Sequence, residues 1–266
     1  MKAGKRRWII FSTALITVFF TGMNLLKGEQ SPDTGKPGGD TSTYSLRQIA
    51  ENKMHHGKDS FVNPFNPDMH GRMWEVLKWK VFAENTFKDF YADEKIVPVT
   101  IDWQEVREHS SVSVTFITHS TVLIKDGDSY ILVDPVLFGL FWPIRDFTPL
   151  DFDIASMPRP DIILITHGHY DHLDKRSLSL YGDHSTFISP LGYSKILDSV
   201  GAKTVRELDW YGSYTDGSRE IILLPCNHWT MRNPLTGPNT ELWGSYLIKT
   251  STGQTIYISG DTAYFD

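Results

Sequence analysis

The chain has 266 residues, 40% of them hydrophobic, which sets it in the globular class with room for a full core in one or two domains. Lys and Arg number 26 against 32 Asp and Glu, a formal net charge of -6, so no overall attraction to phosphate backbones exists and nucleic-acid binding, a nuclease role included, is set aside. The single cysteine, Cys226, cannot close an internal disulfide and says nothing about redox compartment.

At the N-terminus, Lys2, Lys5, Arg6 and Arg7 precede an uncharged run from Trp8 to Leu26, long enough to cross a hydrocarbon layer as a helix. The pattern predicts a transmembrane anchor over residues 1–27, with the basic cluster cytoplasmic and the rest of the chain outside the cytoplasm. A cleaved export signal, leaving a secreted or periplasmic domain, is the alternative, although no clear A-x-A cleavage pattern and no lipobox cysteine is found. Residues 28–44 are rich in Gly, Pro, Ser and Thr and read as a flexible linker. Residues 45–96 read as an N-terminal helical extension. Within it, from Met69 to Asp93, Trp74, Leu77, Val81 and Phe82 recur near helical spacing on one face. That face, with Trp79, Phe87 and Phe90, is expected to pack on the main domain more readily than to touch lipid.

The main domain, residues 97–266, changes to strands. Val112 to Ile117, Thr121 to Ile124 and Tyr130 to Val133, with a turn at Asp126-Gly127-Asp128, predict a β-meander. DIILITH and TFISP follow, separated by a helix-sized segment, and REIILLPCNHW, GSYLIKT and QTIYISGDT supply three more strands. No repeat of solenoid period is present.

Residues 167–174 hold three histidines and two aspartates directly behind the strand Ile162 to Ile165. His167 and His169, two apart in an extended turn, can point to one side and share one metal ion. Asp171 and His172, at the predicted start of a helix, can face a second position nearby. Mixed imidazole and carboxylate ligands suit zinc, or another first-row divalent ion, better than calcium or magnesium. The H-x-H-x-D-H spacing is hard to obtain by accident. By contrast His55, His56, His70, His109 and His184 have nothing to single them out and read as ordinary polar surface residues.

Thr166-His167-Gly168-His169-Tyr170-Asp171-His172, preceded by Ile131-Leu132-Val133-Asp134-Pro135 and followed by Pro225-Cys226-Asn227-His228-Trp229 and Ser259-Gly260-Asp261-Thr262, resembles the metallo-β-lactamase-fold hydrolases in both content and order. Within them the chain is most similar to the N-acylphosphatidylethanolamine phospholipase D-like branch, through Thr118-His119-Ser120-Thr121, the His-Trp pair and Leu242-Trp243-Gly244-Ser245. The resemblance runs from about Phe61 to the end. It implies an α/β fold, the four-layer αββα sandwich, over residues 97–266. It also implies that His167, His169 and His228 hold one zinc, Asp171 and His172 a second, and that Asp261 bridges them. Asp134 would brace the ligand loops by hydrogen bonds. His119 reads equally as a brace of that kind and as a satisfied strand-end histidine.

The family pattern has a further histidine after the Gly-Asp-Thr strand, whereas here only Asp266 follows Asp261 as a candidate ligand, so the domain is expected to be C-terminally truncated. The implied chemistry is hydrolysis by a zinc-bridged hydroxide, with Asp171 orienting it or taking its proton and no organic cofactor. The apolar stretch of residues 137–152 is expected either to meet lipid or to pack on the preceding helix. The anchor, this stretch and the resemblance together favour a membrane lipid phosphodiester as substrate. A small soluble ester or lactone, and a truncated, non-catalytic, membrane-tethered metal-binding protein, stay open. Cys226 reads first as a buried structural thiol, and second as a residue tuning the site.

Overall fold

Short capped helices open the described chain. The computed structural model describes residues 43–66, 82–84, 86, 100–139, 150–233 and 235–265, all within one compact unit of residues 40–266. Helix α1 (Leu46–Glu51) starts at a capping box in which Ser45 and Gln48 satisfy each other's backbone N–H groups. Helix α2 (Trp103–Glu108) starts at Asp102, whose carboxylate accepts from the N–H groups of Gln104 and Glu105.

The predicted meander follows as β1 (Ser113–Thr118), β2 (Thr121–Asp126) and β3 (Ser129–Val133), antiparallel and turned at Gly127 with φ of 62°. The chain then returns in parallel: β4 (Ile162–Leu164), β5 (Thr186–Pro190) and β6 (Thr204–Leu208) add in order beside β3. The crossovers carry α3 (Lys175–Ser179) and α4 (Ser194–Ser199). Parallel strands must be covered on both faces, and β4 is correspondingly buried at all three positions. Alternation then sorts its neighbours. Ile124, Ile131, Val133, Leu164 and Ile188 face a second sheet, while Leu123, Leu132, Ile163 and Phe187 face Trp103, Leu178 and Leu197 of the helices.

The second sheet is antiparallel, in the order β10 (Thr255–Ile258), β9 (Ser245–Lys249), β8 (Arg219–Leu224), β7 (Ser213–Asp216). Ile221, Leu223, Tyr246, Ile248 and Trp243 close the inter-sheet core. Its other side, along Ile222, Leu224 and Leu247, is only partly covered by the described residues. The sheets are tied by a buried ion pair, Arg219 Nε to Asp126 Oδ2 at 2.7 Å, and the Ser251 hydroxyl donates to Asp126 Oδ1 at 2.6 Å.

The described layers are thus helices, sheet and sheet, the α/β arrangement expected for three layers of the sandwich. Two strands, β6 and β7, were not predicted: β6 carries Arg206 and Glu207, and β7 is a polar edge strand. The expected anchor, the linker up to Ser42, most of the helix of residues 69–93, Asp266 and residues 140–149 of the apolar stretch lie outside the described residues. Among the described residues no helix is long and apolar enough to cross a membrane.

Candidate metal centre

The strand ends of both sheets converge on one loop cluster. β4 stops at Leu164, and Thr166 is then seized by Asp134, which stands just beyond β3 with φ of 43°. The Thr166 N–H donates to Asp134 Oδ1 at 2.8 Å and its hydroxyl to Oδ2 at 2.6 Å. The same Oδ2 meets His172 Nδ1 at 2.8 Å. One buried carboxylate therefore holds both ends of the His167–His172 loop, the bracing geometry expected of Asp134. Gly168 is needed at its apex, because a Cβ there would stand 2.8 Å from Thr230 Oγ1 and 3.1 Å from the Tyr193 hydroxyl.

Asp171 and His172 do not begin a helix. They lie in a turn closed by the N–H groups of His172 and Leu173 donating to the His169 carbonyl at 3.2 and 3.0 Å, and α3 starts only at Lys175. The reason is that Asp174, not Asp171, accepts from the first free N–H groups of the helix. Asp171 is left to the β1–β2 hairpin tip, where His119 Nε2 lies 3.2 Å from its Oδ2 and the Ser120 hydroxyl donates to its carbonyl at 2.8 Å.

His228 arrives from the turn after β8 and Asp261 from the turn after β10. Gly260, with φ of 55°, lets that second turn pass over Thr166, whose Cβ would be 2.9 Å from a Cβ at position 260. His167, His169, His228 and Asp261 each present a ligand atom within 4.8 Å of the others. A neighbouring group, His119, Asp171 and His172, meets the same criterion. His172 lies between the two, its Nε2 3.3 Å from Asp261 Oδ1. Every predicted site residue is therefore in one cluster. The linking residues Thr166, Thr230 and Asn227 were not singled out, although Thr166 directly precedes the motif.

Burial, and then the neighbouring His172 and His228, hold the His167 imidazole well below its usual titration range. Burial also lowers His169, and with His169 beside it brings His228 down to about 4. His172 goes the other way. Burial would lower it, but its bonds to Asp134 and Asp261 win and raise it to about 10. Burial pushes the Cys226 thiol up and leaves it inert at neutral pH, in keeping with a structural thiol.

The fit to a metal can be judged from His167. Its Nε2 is buried without a protein partner, although an unmet buried acceptor is costly, while its Nδ1 lies 3.0 Å from Thr166 Oγ1. A neutral imidazole nitrogen aimed among two more imidazoles and a carboxylate is the donor set of a first-row divalent ion.

Of the histidines expected on the surface, one is buried and its neighbour is half-buried. His55 is fully buried, stacked on Trp210 at 4.1 Å between ring centres, with Nε2 2.6 Å from Asp209 Oδ1. His56 Nε2 lies 2.9 Å from the other oxygen of Asp209. Their partner is some 150 residues away in sequence, so nothing local marked them. His184, beside Asp183, and His109 are exposed as expected, and His70 lies outside the described residues.

Two β-sheets presenting histidines and aspartates from their strand ends define a metal-binding α/β fold. Residues 129–266, just over half of the chain, match the beta-lactamase superfamily domain, and the chain belongs to that superfamily. It is 27% identical over 234 residues to an uncharacterized protein of Mycobacterium tuberculosis, covering 83% of this chain and 61% of that one. It is 33% identical over 126 residues to the mitochondrial N-acyl-phosphatidylethanolamine-hydrolyzing phospholipase D of Saccharomyces cerevisiae, covering 45% of this chain and 27% of the relative. To N-acyl-phosphatidylethanolamine-hydrolyzing phospholipase D 1 of Caenorhabditis elegans it is 26% identical over 209 residues, covering 70% and 58%. The chain thus spans about three fifths of the length of the first of these relatives.

Proposed function

We propose that this chain carries the centre of a metal-dependent hydrolase acting on a membrane lipid phosphodiester, N-acylphosphatidylethanolamine or a close relative of it. The observation that carries the hydrolase reading is the four-residue cup of His167, His169, His228 and Asp261, with the buried, unpaired Nε2 of His167 aimed into it. The lipid reading is supported by the similarity to the two phospholipases D and by the apolar stretch of residues 137–152. The basic cluster and uncharged run of residues 1–26 support placement at a membrane, outside the cytoplasm.

His167, His169 and His228 would hold one ion, Asp171 and His172 a second, and Asp261 would reach both. Bound divalent cations, zinc first among them, would supply Lewis acidity to the attacked phosphate and acidify the attacking water. The rest falls to the chain. Asp134 fixes the His172 ring through Nδ1 and so leaves Nε2 facing inward. Asp171, half-exposed and steadied by His119, is placed to orient the water and take its proton. Water adds to phosphorus, the P–O bond to the acylethanolamine breaks, and the leaving oxygen takes up a proton, releasing phosphatidic acid.

Metal analysis combined with turnover tests this. The chain loaded with zinc should release phosphatidic acid from N-acylphosphatidylethanolamine in mixed micelles, and His169→Ala should lose both metal and activity. Turnover of a soluble aryl ester alone would overturn the lipid assignment, and absence of bound metal would overturn the hydrolase reading.

A further inference from the structure

We propose that the segment from Lys53 to Asn66 is a strap that positions the His228 loop, and that Asn63 is the positioning residue through which it acts. The inference rests on the reading of His228 as a metal ligand.

The strap has almost no regular structure. After α1 it makes one isolated bridge, His56 to Phe61, the Phe61 N–H donates to the Asn239 carbonyl at 2.7 Å, and side chains anchor it at two further places. Its first anchor is Asp209, whose carboxylate accepts from the Lys53 ammonium and faces the Nε2 atoms of His55 and His56. Burial would raise the Asp209 carboxyl, but the bonds from His55 and Lys53 hold it below the ordinary range, so it is charged. Burial keeps His55 neutral, and Nε2–H then donates to Asp209. Three ligand-type groups meet here, but the Lys53 ammonium already supplies the cation this carboxylate needs, so the cluster works as a clasp.

The second anchor is Asn63, at 2% exposure. Its Nδ2 donates to the His228 carbonyl at 2.8 Å and to Asn227 Oδ1 at 2.9 Å. Its Oδ1 accepts from the N–H groups of Phe65 and Asn66 at 2.9 and 3.2 Å. Both hydrogens and both lone pairs of the amide are in use, so the group has one orientation. Asn227 passes the contact on. Its N–H donates to Thr262 Oγ1 at 3.1 Å, its carbonyl accepts from Ala263 N–H at 2.8 Å, and its Nδ2 donates to the Tyr264 carbonyl at 3.2 Å. The Phe65 ring meets Phe265 in a tilted contact at 4.5 Å between ring centres and stacks on Trp210 at 6.0 Å. One buried amide, 165 residues before His228, thus holds the loop bearing His228, and Asn227, which it also holds, ties that loop to the one bearing Asp261.

Two substitutions separate positioning from folding. Asn63→Ser can still accept from Phe65 and Asn66 as a short hydroxyl turn, but cannot reach the His228 carbonyl. Asn63→Asp keeps the same acceptor and turns a second carboxylate oxygen onto that carbonyl. In the full chain titrated with cobalt(II) against a chelator, both should bind about tenfold or more weakly and show an altered visible absorption band. Ser45→Ala, which loosens α1 without touching Asn63, should match the unsubstituted chain in both readouts. Folded Asn63 variants that bind cobalt with unchanged affinity and spectrum would overturn the strap while leaving the metal centre intact. His228→Ala is the reference. If it too binds normally, His228 is no ligand, and the reading beneath the inference fails instead.

Discussion

The two sides of the centre are built from the same loop yet prepared in opposite ways. His167, His169 and His228 form a cup of imidazoles whose burial keeps them neutral. On the other side His172 stands between Asp134 and Asp261, and the two carboxylates retain a proton on it up to about pH 10. A cation entering the cup meets the unpaired Nε2 of His167 and must open the contact between His169 Nδ1 and His228 Nε2 at 3.2 Å, a change of tautomer in neutral rings, whereas one entering beside His172 must displace a proton. Burial alone therefore gives a site that is ready at neutral pH, and burial beside carboxylates gives one coupled to pH.

The sharpest way to break this comparison is Asp171→Asn. The substitution leaves the cup untouched and removes a carboxylate from the other side, so turnover should fall by about 10²–10⁴ while one metal equivalent is kept. Steady-state hydrolysis with metal analysis of the same sample decides it, and full activity would sink the role given to Asp171.

Next in size is a pH effect that separates the two sides. Between about pH 7 and about pH 9, affinity at the His172 position should rise by about 100-fold, because one proton leaves for each ion bound, while affinity at the cup stays flat. Stability of the metal-free chain carries the same signature. His172 has a folded value raised above 6.5, so its contribution is complete below 6.5 and is lost as the pH climbs toward about 10. His228, lowered to about 4, stabilises above 6.5 and loses that contribution as the pH falls through about 4. Melting temperatures should therefore decline on both sides of about pH 6.5 without metal, and the alkaline decline should vanish with metal bound. A single slope in both forms would show that His172 keeps no proton.

Asp134→Asn sharpens the comparison further, with a smaller effect. It keeps the acceptor for Thr166 N–H and removes the charge facing His172 Nδ1, so metal at the His172 position should weaken about 10–100-fold and the cup should be spared. Equal loss at both positions, read by chelator competition, would mean that Asp134 holds the whole loop and not one ring.

Much of this was legible in the sequence, because the signals were local. The alternation over β1–β3 and the H-x-H-x-D-H spacing are period and proximity effects: the structure shows the meander and gathers the motif's side chains in one loop cluster, although Asp171 and His172 lie in a turn and not at a helix start. What was missed depends on distant partners. β6 and β7 have polar sequences that only their neighbours make into strands. The helix start slipped because two aspartates three apart competed for one cap, and Asp171 was taken by the hairpin of His119. His55 looked like a surface histidine because Asp209 and Trp210, which bury it, arrive from the end of β6. Asn63 carried no signal at all, since a lone asparagine in an irregular segment is an ordinary turn residue until its amide is seen on His228.

The smallest effect tests whether the cup owes its readiness to packing as well as to burial. Gly168 separates His167 from His169, and its N–H donates to Thr230 Oγ1 at 3.0 Å. Gly168→Ala would drive a methyl into that hydroxyl and toward the Tyr193 hydroxyl, which itself donates to the Leu242 carbonyl at 3.0 Å. Neither neighbour moves freely: Thr230 and Tyr193 are both fully buried. The overpacking should cost about 1–3 kcal/mol of stability, read by denaturant unfolding of the metal-free chain. Because the strain falls on the backbone between the two histidines and away from His172, metal in the cup should weaken and the His172 position should not. If the unfolding midpoint drops while both positions bind as before, the loop is compliant, and the neutral imidazoles are set by burial alone.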